Sequence, residues 1–271
     1  MADPYADLGN TPREMQETIA AAMAARAIDP AQVASRHAYL SDIALPNGAL
    51  AVEFGSGTGH LTRDLLDAVG AQHALGIEPP AVMVDAARAA HSSRGDMRFE
   101  LGNAKTTGLP DASCDMVLMH TLLCHVPGPE DAIIEAARVL KLGGVLAVCD
   151  GDYDTATTAI ADFDPLEQLV RFMIQENVTN SHTMRAIGPM LETAGFDVGA
   201  AKGHGYVTDG DAAYFMTVID RAAALMTERG VISQQTAKAL QHEARDRPSR
   251  KAFFGFMSYV SVIATKEGVR Q

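Results

Sequence analysis

The segment Glu53-Phe54-Gly55-Ser56-Gly57-Thr58-Gly59 constrains this chain more than any other. It follows a short apolar run, LAVEF, and opens an amphipathic one, HLTRDLLDAV. Glycine tolerates positive φ and carries no Cβ. Its repetition here predicts a sharp strand-to-helix turn whose bare main chain lies close to a ligand. A glycine-rich loop alone is weak evidence. This one gains weight from a second strand, HALGIE, that ends in Glu78 about 20 residues on, where a carboxylate can accept hydrogen bonds from both hydroxyls of a ribose.

The same rhythm continues downstream. A helix is predicted from Ala81 to Ala90, a third strand at MRFELG, a fourth at CDMVLMH, a helix over PEDAIIEAARVL closed by Gly143-Gly144, and a fifth strand at GVLAVCD. Strands alternating with helices, several of them almost wholly apolar, predict a parallel sheet covered on both faces. The stretch DPLEQLVRFMIQENV repeats its apolar residues (Leu166, Leu169, Val170, Met173, Ile174) at helical spacing. TMRAIGPMLETAGF leads as a helix into a sixth strand near FDVGAAKGHGYV, two helices flank Gly230, and FFGFMSYVSVIAT is a last strand. Upstream, Thr11 is placed as a helix N-cap before Pro12, with Glu14 as its capping-box acid, and a further short helix covers 30–40. The expected fold class is α/β: a Rossmann-like, doubly wound, mostly parallel seven-stranded sheet with helical lid insertions. Residues 1–45 form a helical cap and 46–271 the main domain. The insertions, at about 151–182 and 210–250, sit at the strands' C-terminal edge, where open α/β sheets bind ligands.

Composition narrows the function. The chain has 271 residues, 47% of them hydrophobic, which suffices for one sizeable core. A net charge of −12 with no basic block disfavours a nucleic-acid partner. Cys114, Cys124 and Cys149 have neither metal spacing nor a disulfide framework and read as buried thiols in a reducing compartment. The N-terminus MADPYADLGN lacks the basic start and apolar run of a secretion signal, and no run of about 18 apolar residues exists to span a bilayer. A cytoplasmic protein is expected, with no bound metal, no membrane or nucleic-acid partner and a small-molecule substrate, and a homodimer is left open.

The loop itself discriminates between nucleosides. A dinucleotide fingerprint needs a small residue three places after its second glycine, where this chain has His60. Glu53 at the head of the loop is unhelpful to a pyrophosphate and suits an ammonium group. On these residues the chain resembles the class I S-adenosylmethionine (SAM)-dependent methyltransferases, and within them the ubiquinone/menaquinone C-methyltransferase-like branch that also includes natural-product sugar O-methyltransferases. VEFGSGTGHLT is similar to that family's first motif and GIEPPAVMVDAAR to its second. The span LGNAKTTGLPDASCDMVLMHTLLCHVPGPEDAIIEAARVLKLGGVLAV is similar to the remaining core motifs. The resemblance implies SAM as cofactor, held by Glu53, Gly55, Gly57, Gly59 and Glu78, with Met83 packed on adenine, Asn103 and Ala104 beside the adenine amino group and His120 as a wall. Two departures stand out. Asn103 replaces a usual Asp, and an Asn carbonyl accepts the same hydrogen bond without the charge. Leu142 replaces the proline of a Pro-Gly-Gly turn, which alters only turn stiffness.

Methyl transfer from a sulfonium is an in-line displacement, and a base is needed only where the accepting atom must lose a proton. The resemblance implies His125, in LLCHVPGPE, as that base, with Asp150 or Asp152 assisting. The alternatives are that His125 buttresses its loop and that Asp150 and Asp152 cap the following turn. Asp152, Tyr153, His182, Arg185, His204, Tyr206 and Tyr214 are candidates to shape an acceptor pocket. The leading expectation is methylation of an O, N or C atom of a small, natural-product-type molecule. A SAM-supported cyclisation without methyl transfer is the alternative, and an NAD-dependent oxidoreductase is disfavoured by Gly59 and His60.

Overall fold

The computed structural model describes residues 3–208 and 212–268. A short 3-10 turn at Leu8–Asn10 precedes α1 (Arg13–Ala27) and α2 (Pro30–Leu40). The alternating part follows: β1 (Leu50–Phe54), α3 (His60–Asp67), β2 (His73–Glu78), α4 (Ala81–Ala90), β3 (Met97–Leu101), β4 (Cys114–His120), α5 (Pro129–Val139) and β5 (Leu140–Thr157). Then come α6 (Pro165–Asn177), α7 (Thr183–Thr193), β6 (Phe196–Val198), β7 (Lys202–Thr208), α8 (Ala213–Glu228), α9 (Gln234–Ser249) and β8 (Gly255–Lys266).

The strands form one sheet in the order β3-β2-β1-β4-β5-β8-β6, with β7 also paired to β8. Neighbours from β3 to β5 are parallel, and β8 runs antiparallel to β5, β6 and β7. The chain winds outward from β1 through β2 to β3, then returns to place β4 on β1's other side. That reversal opens a crevice at the C-terminal ends of β1 and β4, the usual ligand position in such sheets.

Side chains alternate across the sheet with period two, and each set has its own helical cover. Ala51, Met116, Leu118, Ala147 and Cys149 share one buried cluster with Tyr39 of α2, Leu65 of α3, Val84 of α4, Leu169 of α6 and Phe215 of α8. Val52, Phe54, Val117, Met119 and Val148 share the other with Ile133 of α5 and Ile187 of α7. Both faces are dry, which is why these strands carry almost no polar residues.

Three local expectations change. Thr11 does not cap α1; Pro12 takes that position, and the Thr11 hydroxyl donates to the Leu8 carbonyl of the preceding turn instead. The expected sixth strand is two pieces, so the sheet has eight strands in seven positions. β6 and β7 lie end to end on β8, with the register shifting by one residue between Val198↔Ala264 and Lys202↔Ser261. An extra residue in one strand of an antiparallel pair produces such a bulge. Finally, β5 runs on to Thr157, because β8 is long enough to pair with it through Gly151 and Asp152. Residues 151–157, assigned from sequence to an insertion, are therefore strand, and Asp150 and Asp152 lie within it. Among the described residues no helix is long and apolar enough to cross a membrane.

Candidate functional site

The turn after β1 is held open by backbone geometry. Gly57 and Gly59 have φ of 51° and 81°, and Gly59 serves as N-cap of α3. A Cβ on Gly57 would come within 2.5 Å of Met23 Cε, and one on Gly59 within 2.5 Å of the Phe99 ring. The Met23 tip can yield at Gly57, where φ alone favours glycine, whereas at Gly59 the rigid ring excludes larger residues by space as well.

Two carboxylates flank this turn in dry surroundings. Glu78, at the end of β2, accepts a 2.8 Å hydrogen bond from the Gly57 N–H. Burial pushes its carboxyl up to about 7, and the Gly57 N–H opposes that rise. Glu53, near the end of β1, accepts a 2.5 Å hydrogen bond from the Thr62 hydroxyl on α3. Burial pushes it up to about 8, against the Thr62 bond and with the help of Asp64 and Glu78 nearby. Carboxylates held like this await donors.

Two recesses border the turn, and a third adjoins both of them. The first is lined by Glu53, Gly55, Ser56, Thr58, His120 and residues of α1 and α2. The second is lined by Gly55, Glu78, Asn103, Ala104, Leu122 and His125. The third lies under α6 and α8 and is lined by Tyr153, Met173, Tyr214 and Arg221 among others. Gly55 borders the first two; Met23 and Arg26 separate the first from the third; Tyr5 and His125 separate the second from the third. They are compartments of one crevice divided by four side chains.

His125 stands on the divide. Asp3 Oδ2 lies 2.8 Å from His125 Nδ1. A carboxylate only accepts, so Nδ1 carries the proton and Nε2 remains to interact with a bound molecule. The Tyr5 ring stacks on the imidazole at 4.4 Å between centroids. Asp3 is itself fixed by the Thr179 N–H and hydroxyl. The loop carrying His125 is pinned from both sides. Asp150 Oδ2 accepts from the Cys124 N–H, and the Asn180 side chain donates to the Leu123 and Val126 carbonyls.

The other sequence candidates separate clearly. Asp150 is buried, and its second oxygen accepts from the Gly151 N–H, so both oxygens serve the backbone. Asp152 forms a two-point pair with Arg185 of α7 and borders none of the three recesses. The assisting role inferred for this acidic pair therefore has no geometric basis, because β5 continues as strand and turns both groups toward protein partners. Met83 is fully buried with Leu8, Ile19 and Ala20, so the N-terminal helix covers the side chain assigned to adenine. His120 shares a 2.9 Å hydrogen bond with the Tyr39 hydroxyl through Nδ1, and burial, helped by Arg26, Arg36 and His204, holds its pKa well below the ordinary histidine range. Tyr153 and Tyr214 line the third recess. His182 pairs with Asp154, His204 bonds the Ser261 hydroxyl, and Tyr206 stacks on Phe215 away from it.

Sequence reasoning missed Asp3, Tyr5, Arg26 and Asn180. No local pattern marks them; Asp3 meets His125 across 122 positions of chain. Thr121, which accepts a 2.8 Å hydrogen bond from Arg26, has φ of 48°. Strain of that kind in a threonine collects at functional sites. No cluster of metal-ligating side chains occurs among the described residues.

Residues 52–148 match the family model described as "Methyltransferase domain". The chain is 31% identical over 152 residues to an uncharacterized 37.1 kDa protein in a transposon of Streptomyces fradiae, covering 56% of this chain and 44% of that one. It is 30% identical over 115 residues to a demethylmenaquinone methyltransferase of Tropheryma whipplei, covering 42% and 47%. The matched stretches thus span less than half the length of these curated relatives. Among solved structures, the YcgJ protein of Bacillus subtilis superimposes with a TM-score of 0.61 at 19% identity, over 86% of this chain and 98% of that one. That likeness concerns the fold. Sheet order, glycine turn and the segment 52–148 that matches the methyltransferase-domain model agree on a methyltransferase-like fold.

Proposed function

We propose that this protein transfers a methyl group from SAM to an O, N or C atom of a small molecule, with His125 as the proton acceptor. The cofactor's fit rests on the donor set. Glu78 and Glu53 are buried carboxylates whose burial favours the protonated form, so a ribose diol and an ammonium group satisfy them where a diphosphate would add repulsion. Ser56 Oγ is buried without a hydrogen-bond partner among the described residues. Glu78 would hold the ribose, Glu53 and the main chain at 55–59 the methionine end, and Asn103 with Ala104 the base.

When bound, SAM supplies an electrophilic methyl on a good leaving group. The protein's share is position and proton. His125 Nε2 takes the proton the accepting atom loses, and Asp3 keeps the imidazole in the tautomer that can do so. Asp3 acts through His125 and is a positioning residue. Asp150 and Asn180 hold the loop rigid. The N-terminal segment with α6 and α8 covers the third recess as cap and lid and excludes water from the transfer.

One observation carries this reading: an imidazole oriented by a carboxylate stands between the cleft that holds Glu78 and a tyrosine-lined cavity. Incubation with methyl-labelled SAM and a metabolite panel tests it. Labelled product with stoichiometric S-adenosylhomocysteine is expected. Substrate consumption without S-adenosylhomocysteine would instead support a SAM-supported cyclisation.

A further inference from the structure

The cavity under α6 and α8 differs in charge from the rest of the molecule. The chain carries a net charge of −12, yet no Asp or Glu lines this cavity, while Arg26 and Arg221 both do. Neither arginine forms an ion pair among the described residues. Arg26 donates to Thr121 Oγ1, and the titratable groups that act on it most strongly are Tyr259, Tyr214, Tyr153 and Tyr5. Arg221 lies over the Tyr5 ring at 5.9 Å. Most arginines elsewhere, such as Arg138, Arg185, Arg247 and Arg250, are paired with carboxylates.

Two phenols in the polar wall donate as well. Burial holds the Tyr153 and Tyr214 phenols above their ordinary range, so both stay protonated at neutral pH. Guanidinium and phenol O–H groups then face the same space, with Met173 and Ile174 providing an apolar floor. A half-buried guanidinium among neutral rings costs free energy that an incoming anion recovers. The guanidinium's planar fork matches a carboxylate with two parallel hydrogen bonds. Flat aromatic walls suit a flat body.

We infer that the acceptor is a small aromatic acid: its carboxylate is held by Arg26 with help from the tyrosine hydroxyls, its ring packs on the apolar floor, and Arg221 at the rim draws it in. This inference rests on the methyl-transfer reading and names the substrate class of the same site.

The test is calorimetry on protein saturated with S-adenosylhomocysteine, using 4-hydroxycinnamate, its methyl ester and tyramine. The acid is expected to bind at least about tenfold more tightly than either neutral or cationic analogue. Arg26→Met should abolish that preference and leave S-adenosylhomocysteine affinity within about twofold. Arg221→Met should weaken the acid by a few-fold and flatten its salt dependence. Equal binding of acid and ester, preference for the amine, or no binding by any of the three overturns the inference. So does a large loss of S-adenosylhomocysteine affinity in Arg26→Met, which would assign that guanidinium to the cofactor's own carboxylate. Failure of the wild-type protein to bind S-adenosylhomocysteine at all removes the underlying reading.

Discussion

The cleft around Glu78 and the cavity beyond His125 share a wall but are built in opposite ways. The cleft takes its key groups from Glu53 to Glu78, adjacent strands and one turn, with Gly57 and Glu78 joined directly by a hydrogen bond. The cavity gathers Tyr5, Arg26, His125, Tyr153, Met173 and Arg221 from most of the chain's length. The first sets the buried carboxyls Glu53 and Glu78 beside the glycine main chain, with Arg26, Arg36 and Lys105 at its borders; the second has two arginines and no carboxylate in its lining. Under the proposed function, a fixed nucleoside would be served by local, backbone-determined geometry, and a variable acceptor by side chains on appended helices, which change without disturbing the sheet.

The sharpest way to break this contrast is at its boundary. His125→Ala is expected to slow turnover by about two to four orders of magnitude, the range for losing a positioned base, with SAM affinity unchanged by calorimetry. Asp3→Ala should lower kcat roughly tenfold at constant KM, and Asp3→Asn, whose amide oxygen still accepts from Nδ1–H, should recover most of it. Equal loss in both variants would reduce Asp3 to a structural tether.

On the cleft side, Gly59→Val should destabilise the fold by about 3 kcal/mol in urea denaturation, through a disfavoured φ and overlap with Phe99. Glu78→Ala is expected to weaken SAM binding by about 1–3 kcal/mol and leave acceptor selectivity alone. Undiminished affinity would refute the ribose assignment.

The smallest effect is in pH. Glu53 and Glu78 have ordinary carboxyl values of 4.5, raised to about 8 and about 7 in the folded protein. Between 4.5 and those values the folded protein binds more protons than the unfolded chain, so their contribution to stability falls as pH rises through that window. A cofactor that requires both carboxylates ionised reverses the trend: its binding should release protons near pH 6–7 and tighten up to about pH 8. Calorimetry in two buffers of different ionisation enthalpy reads this directly, and zero net proton release would remove the link between burial and binding.

Much of the cleft was legible because its determinants are short-range. Glu53, the three glycines and Glu78 stand at spacings that only a strand-turn-helix-strand unit explains, and Asn103 and Ala104 follow one strand later. Met83, placed on adenine by the family resemblance, lies under α1, and no local pattern announced that cover. Asp150 and Asp152 look like loop acids until β8 pairs alongside and extends β5 past them.

Sequence alone determined the layered sheet, its two dry faces and the glycine turn, since period-two and period-3.6 apolar patterns and positive-φ positions are properties of neighbouring residues. Tertiary structure decided which histidine is oriented by a buried carboxylate, which acids are consumed by main-chain N–H groups, and which arginines have no counter-charge among the described residues. Those outcomes depend on contacts between residues as far apart as Asp3 and Thr179, and on the burial that only the assembled fold imposes.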